Sequence, residues 1–141
     1  MRKDKACEIS TNIDDMTGEE IGFLLNLVME KGALDAWATP IFMKKQRPAY
    51  MVSVLCKNNN AAMVCDLIFK HSSSIGLRIE VKDRIVLERD EIHIDTSFGM
   101  VCIKRCGEKK HIEYEDLARI AKEKNMSIAQ IKEKILGEID I

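Results

Sequence analysis

The order of its amphipathic segments constrains this chain more than any single motif. Ile21, Leu24, Leu25, Val28 and Met29 recur at helical spacing, and so do Ala61, Val64, Cys65, Ile68 and Phe69. Around them lie segments that read as strands: residues 6–10, residues 34–43, the alternating set Tyr50, Val52, Val54 and Cys56, and the set Leu77, Ile79, Val81, Ile85 and Leu87. The order β-α-β-β-α-β predicts an α+β fold with a ferredoxin-like core over residues 6–90.

Local punctuation supports these boundaries. Thr17 and Glu20 make a T-x-x-E capping box at the start of the first helix, and Gly32 stands where a left-handed C-terminal cap belongs. Pro40 cannot donate to a ladder, so its strand is expected at an edge or a bulge. Asn58, Asn59 and Asn60 break the chain before the second helix and are expected to cap it. After residue 90 a β-hairpin over residues 91–106 turns at Ser97, Phe98 and Gly99, and a helical pair over residues 113–139 closes the chain. Asn125 ends the first helix of that pair, Ser127 with Gln130 caps the second, and Met126 staples onto Ile131. With 141 residues, one domain spanning 1–141 is the expectation.

Composition narrows the function classes. The formal net charge is −1, from 22 basic and 23 acidic side chains, so no overall cationic excess is available for gripping nucleic acid. Lys122, Lys124, Lys132 and Lys134 alternate with acids, which argues against a phosphate-facing helical surface. No stretch approaches the ~18 apolar residues of a membrane span, and Met1 to Lys5 lack the apolar centre of a signal peptide. The five cysteines are odd in number and form no CxxC pair, which reads as buried free thiols in a reducing, cytoplasmic setting.

Several groups are candidates for chemistry. Asp14 and Asp15 precede a helix start, where solvation and capping are the plain account; because Thr17 already caps, they also suit Mg²⁺ or Mn²⁺ held jointly with phosphates. Lys44, Lys45 and Arg47 read either as a solvated cluster guarding a strand or as a phosphate clamp. Ser72, Ser73 and Ser74, leading to Gly76 and Arg78, read either as a helix exit or as a phosphate-cradling loop. His71, His93 and His111 have no metal-ligand spacing, and Cys102 and Cys106 read as packing residues on one strand face. No G-x-x-x-x-G-K-[ST] or G-x-G-x-x-G pattern occurs, and no catalytic nucleophile stands out.

In combination the motifs become specific. Thr11-Asn12-Ile13-Asp14-Asp15-Met16 with Glu19-Glu20 is followed by Gly32-Ala33-Leu34-Asp35-Ala36-Trp37, Thr39-Pro40, Met43-Lys44-Lys45 and Arg47-Pro48. Ser53-Val54-Leu55-Cys56, the loop from Ser72 to Arg78, and Glu113-Tyr114-Glu115-Asp116 follow in order. This string resembles the C-terminal domain of the LarC-type nickel insertases, which metallate the nickel-pincer cofactor of lactate racemase. Gly18, Ala49 and Leu117 depart from the usual proline, glycine and cysteine of that family.

The resemblance implies a CTP-dependent nickel chelatase of the lyase class, acting on a pyridinium bis-thiocarboxylic acid mononucleotide. It further implies Mn²⁺ (or Mg²⁺) as the ion that accompanies CTP, nickel as the inserted metal, and a homo-oligomer. The family's larger N-terminal domain is not in this chain, which is expected to be a split product or a fragment. It is expected to be the missing partner and to supply the nickel ligands, since no cluster of them is readable here. Charge and position place Asp14 and Asp15 at the metal, and Lys44, Lys45, Arg47, Ser72, Ser73, Ser74 and Arg78 at the nucleotide. A non-enzymatic ligand-sensing or oligomerisation module with a ferredoxin-like fold is the alternative.

Overall fold

The computed structural model describes residues 1–139. Along the chain run β1 (Arg2–Ile13), α1 (Gly18–Glu30), β2 (Asp35–Met43), β3 (Arg47–Cys56), α2 (Ala61–His71), β4 (Arg78–Val86), β5 (Asp90–Thr96), β6 (Gly99–Cys106), β7 (Lys109–Ile112), α3 (Tyr114–Lys124) and α4 (Ile128–Glu138). Short 3₁₀ turns fill Lys44–Gln46 and Asn58–Asn60. These elements divide into two compact units, Lys3–Ile85 and the residues from Val86 onward with Met1–Arg2. The buried apolar side chains gather in two clusters accordingly.

The first unit has the predicted β-α-β-β-α-β order, and its sheet runs β2-β3-β1-β4. The central strands pair antiparallel, with Cys7 opposite Cys56, Ile9 opposite Val54 and Thr11 opposite Val52. Strand parity puts Cys7, Ile9 and Ile13 on the face that also carries Val52, Val54 and Cys56, and that face is buried. α1 covers it with Ile21, Leu24 and Val28, and α2 with Val64 and Ile68. Each such side chain contributes roughly 1.5–3 kcal/mol by leaving water. β2 is an edge strand, as Pro40 requires.

The capping box at α1 forms in full. The Glu20 amide donates to Thr17 Oγ1 at 3.2 Å, and Glu20 Oε2 accepts from the Thr17 amide at 2.7 Å. Gly32 adopts φ +91, the left-handed region its place after the helix calls for. Thr17→Ala should therefore cost about 0.5–2 kcal/mol of stability. A denaturant midpoint unchanged by the substitution would show that the box contributes nothing.

Two local expectations change. Asn60 precedes α2 but gives it no side-chain cap; its Nδ2 instead donates to the Gly32 carbonyl at 3.5 Å. β4 forms where its alternation predicts, yet Ile79, Val81 and Ile85 stay 55–68% exposed, outside the buried cluster that α1 and α2 cover. Periodicity reports which residues share a face and says nothing about whether anything covers it.

The second unit is a three-stranded antiparallel sheet, β5-β6-β7, with α3 and α4 packed on one face. Val101, Ile103 and Ile112 meet Leu117, Ile120, Ile131 and Ile135 there. The predicted hairpin is present, with Thr96 opposite Gly99, but a third strand extends it. β7 escapes periodicity because it is short and polar, Lys-Lys-His before one buried Ile112. Ser127 and Gln130 form the expected capping box, and Asn125 ends α3 at φ 50, ψ 46. Among the described residues no helix is long and apolar enough to cross a membrane.

Candidate functional site

In the first unit, antiparallel pairing brings separate parts of the chain to one end of the sheet. β1 finishes there at Ile13, and β2 finishes at Met43, which pairs with Arg47 where β3 begins. The loop after α2 returns to the same end, and β4 starts there at Arg78. The candidate residues that sequence distance keeps apart therefore meet.

Six side-chain contacts define the cluster. Arg47 Nη1 donates to Asp14 Oδ2 at 3.0 Å, a pair with the guanidinium 55% and the carboxylate 24% exposed. Ser73 Oγ donates to Asp15 Oδ1. Arg78 Nη2 donates to Asn12 Oδ1 at 2.7 Å. The hydroxyls of Thr11 and Ser74 lie within hydrogen-bond reach of one another and of the Gly76 carbonyl. Ser72 does something different: its Oγ donates to the Ile68 carbonyl at 2.7 Å and accepts from the Ser74 amide, so it closes α2 and shapes the loop.

Lys44 and Lys45 are exposed on the turn between β2 and β3. Lys45 and Gln46 both take left-handed backbone angles, φ 62 and φ 59, an uncommon pair for residues with a Cβ. The two lysines thus stand in solvent next to Arg47, which is already engaged with Asp14.

Sequence reading passed over Asn12 and Thr11, which hold Arg78 and the serine loop. Their position on β1 directly before the two aspartates is the signal that would have found them. A cleft also went unread. Ile13, Asp14, Met16, Phe42, Pro48 and Tyr50 line a hollow of about 230 Å³ beside the Asp14–Arg47 pair. It arises because the ends of β2 and β3 extend past their neighbours with bulky side chains.

Three thiols of this unit are packing groups. Cys7 and Cys56 are buried and face one another across the ladder, and Cys65 is half-buried on α2. Burial, with Cys7 adding to it, pushes the Cys56 thiol up to about 11, and burial also raises Cys65. Both stay protonated and unreactive near neutral pH. The expectation that all five cysteines are buried holds for Cys7 and Cys56 only; Cys65, Cys102 and Cys106 keep part of their surface.

A ferredoxin-like unit with hard oxygen donors and two guanidinium groups at one sheet end, joined in sequence to a sheet-and-helix unit, is the class of protein described so far. The chain belongs to the nickel insertion protein family, whose model matches residues 1–132. It is 38% identical, over 93% of its length, to the pyridinium-3,5-bisthiocarboxylic acid mononucleotide nickel insertion protein of Alkaliphilus metalliredigens. The protein of the same name in Clostridium kluyveri is 40% identical over 87% of this chain. The chain spans 32% of the length of each, about a third of these curated relatives. Among solved structures it is similar to LarC2, the C-terminal domain of a cyclometallase involved in the synthesis of the NPN cofactor of lactate racemase, in its apo form. That likeness has a TM-score of 0.91 at 32% identity and covers 99% of this chain and all of the other. The fold and the family are therefore those the motif string implied.

Proposed function

We propose that this chain is the nucleotide-binding part of a nickel insertase, taking CTP with Mn²⁺ (or Mg²⁺) while nickel enters a pyridinium bis-thiocarboxylic acid mononucleotide. The observation that carries the reading is the convergence of Asp14 with Arg47, Asp15 with Ser73 and Asn12 with Arg78 at one sheet end, in a member of the nickel insertion family. Arg47 and Arg78 are planar donors suited to phosphate oxygens, and Lys44 and Lys45 add mobile positive charge beside them. Ser73 and Ser74 offer hydroxyls in a loop that already holds Asp15.

Asp14 and Asp15 fit a hard divalent cation by donor type, although each now serves a protein partner. Among the described residues no group of three or more His, Cys, Asp and Glu side chains is arranged to hold a metal. The ion would therefore be shared, two carboxylates on one side and phosphate oxygens on the other. Bound there, Mn²⁺ would neutralise phosphate charge and polarise a phosphoryl oxygen. Arg47 and Arg78 would orient the chain of phosphates, a task that needs no covalent nucleophile. The cleft at Phe42, Pro48 and Tyr50 would take the base. At about 230 Å³ it has room for a nucleobase.

Calorimetry with CTP and ATP, each with and without Mn²⁺, tests this reading. The expected result is binding that favours CTP and needs the metal. No heat with either nucleotide in any condition would remove the proposal in favour of a non-enzymatic sensing or oligomerisation module.

That the chain spans about a third of its curated relatives' length shapes a second expectation. The rest of the relatives' length would supply the gathered nickel ligands, so this chain alone should bind nucleotide yet leave lactate racemase inactive in an insertion assay. Activity restored on adding the companion domain is the expected outcome. Full activity from the lone chain would overturn it. A closed homo-oligomer belongs to the same proposal, and light scattering that reports a clean monomer at micromolar concentrations would remove that element alone.

A further inference from the structure

We propose that His93 and Cys102 form a landing site for a divalent cation of borderline softness, such as Ni²⁺, Co²⁺ or Zn²⁺, on the sheet face of the second unit that α3 and α4 leave open. Spacing in the sequence hides this pair, since the two residues lie on different strands. In the β5–β6 ladder they are directly opposite.

The backbone fixes how close they stand. The Cys102 amide donates to Asp116 Oδ2 at 2.7 Å, and its carbonyl accepts from the Glu113 amide at 2.9 Å. Both groups of Cys102 are thus directed to the side away from β5. His93 and Cys102 are therefore a non-hydrogen-bonded pair, the kind in which facing Cβ atoms approach to roughly 4.5–5.5 Å. Strand alternation then decides the face. The neighbouring pairs, Ile92 with Ile103 and Ile94 with Val101, point into the α3–α4 core, so the imidazole and the thiol both point the other way. His93 is exposed and Cys102 half-buried, so a cation from solvent can reach both.

The surroundings favour positive charge. Glu91, Glu113 and Asp116 all lie within electrostatic reach of the Cys102 thiol, with Lys104 opposing them. Lys104, ion-paired with Glu113 and opposite Glu91 in the ladder, and Arg119, paired with Asp116, offset part of that field, so three acids face two basic side chains around the thiol. Burial first, and then these three carboxylates, raise the Cys102 thiol, so a metal must displace its proton to bind.

Imidazole with thiolate is a donor set that selects nickel, cobalt and zinc over the hard ions Mg²⁺ and Ca²⁺. Two protein ligands leave most of the coordination shell to water or to an incoming molecule. Such a site suits holding a metal in transit, whereas a structural site would be closed by four ligands. The site uses no residue of the first unit, so it stands or falls apart from the nucleotide reading.

Cobalt is the probe, because thiolate ligation gives a sulfur-to-cobalt charge-transfer band. The intact chain titrated with Co²⁺ should show this band and Cys102→Ser should lose it. His93→Ala should weaken binding by about tenfold or more, while Cys106→Ser should leave it in place. A second measurement needs no variant: Ni²⁺ should protect Cys102 from alkylation, read by mass spectrometry of the wild-type chain. A chain without the band, a band that survives Cys102→Ser, or alkylation of Cys102 at the same rate with and without Ni²⁺ would overturn the assignment.

Discussion

Asp14→Asn and Asp15→Asn should each weaken Mn²⁺–CTP binding by about 30-fold or more while moving the thermal midpoint little. The two halves of that expectation come from different physics. A lost contact between a carboxylate and a metal held against phosphates costs on the order of 2 kcal/mol or more, which converts to that factor in affinity. The stability cost is small because the ion pair that Asp14 gives up has a half-exposed partner: Arg47 is 55% accessible, and pairs in that setting contribute about 0–1 kcal/mol. Asp15 loses only a hydrogen bond from Ser73 on the surface. A large fall in stability with unchanged affinity would reverse the interpretation and make the two acids structural. Unchanged affinity in both variants would remove the metal assignment. The comparison variant is Arg47→Ala, which frees Asp14 and removes a phosphate donor at once; it should lower CTP affinity at saturating Mn²⁺, where the metal site itself is full.

The largest stability effects should come from the two cores, and they should stay local. Ile9 is fully buried between β3 and the helices of the first unit, and Ile131 is fully buried under the sheet of the second. Truncation of either to alanine should cost about 2–5 kcal/mol, the lost transfer energy plus the cavity left behind. Because the two residues belong to separate clusters, hydrogen exchange should quicken in β1, β3, α1 and α2 for Ile9→Ala, and in β5, β6, α3 and α4 for Ile131→Ala. The Ile131→Ala variant should also retain CTP affinity below its transition. Equal loss of protection throughout the chain in both variants would show that the two clusters melt as one.

Much of the fold was legible in the sequence, for identifiable reasons. Both capping boxes rest on contacts within four residues, so Thr17 with Glu20 and Ser127 with Gln130 could be read without tertiary information. The same holds for Gly32 and Asn125, whose left-handed angles follow from where the helices stop. Pro40 announced an edge strand because it has no amide hydrogen to give. Asn60 failed as a cap because a residue far along the chain, Gly32, offered its amide a carbonyl instead. β7 failed because three polar residues before one isoleucine carry no period.

The candidate site was legible only as a set of fragments. Sequence alone determined the residue types: an acidic pair before a helix, a basic turn, a serine loop with an arginine after it. Their ordered string also pointed to the nickel insertion family, to which the chain belongs. It could not say that Arg47 meets Asp14, that Ser73 meets Asp15 or that Asn12 holds Arg78, because these pairings are separated by 33, 58 and 66 residues. Antiparallel ladders decide them, by carrying β1, β3 and β4 to a common end in a register no local pattern encodes. The meeting of His93 and Cys102 has the same origin. Two strands and a hydrogen-bond parity put those side chains together, and the chain order between them carries no trace of it.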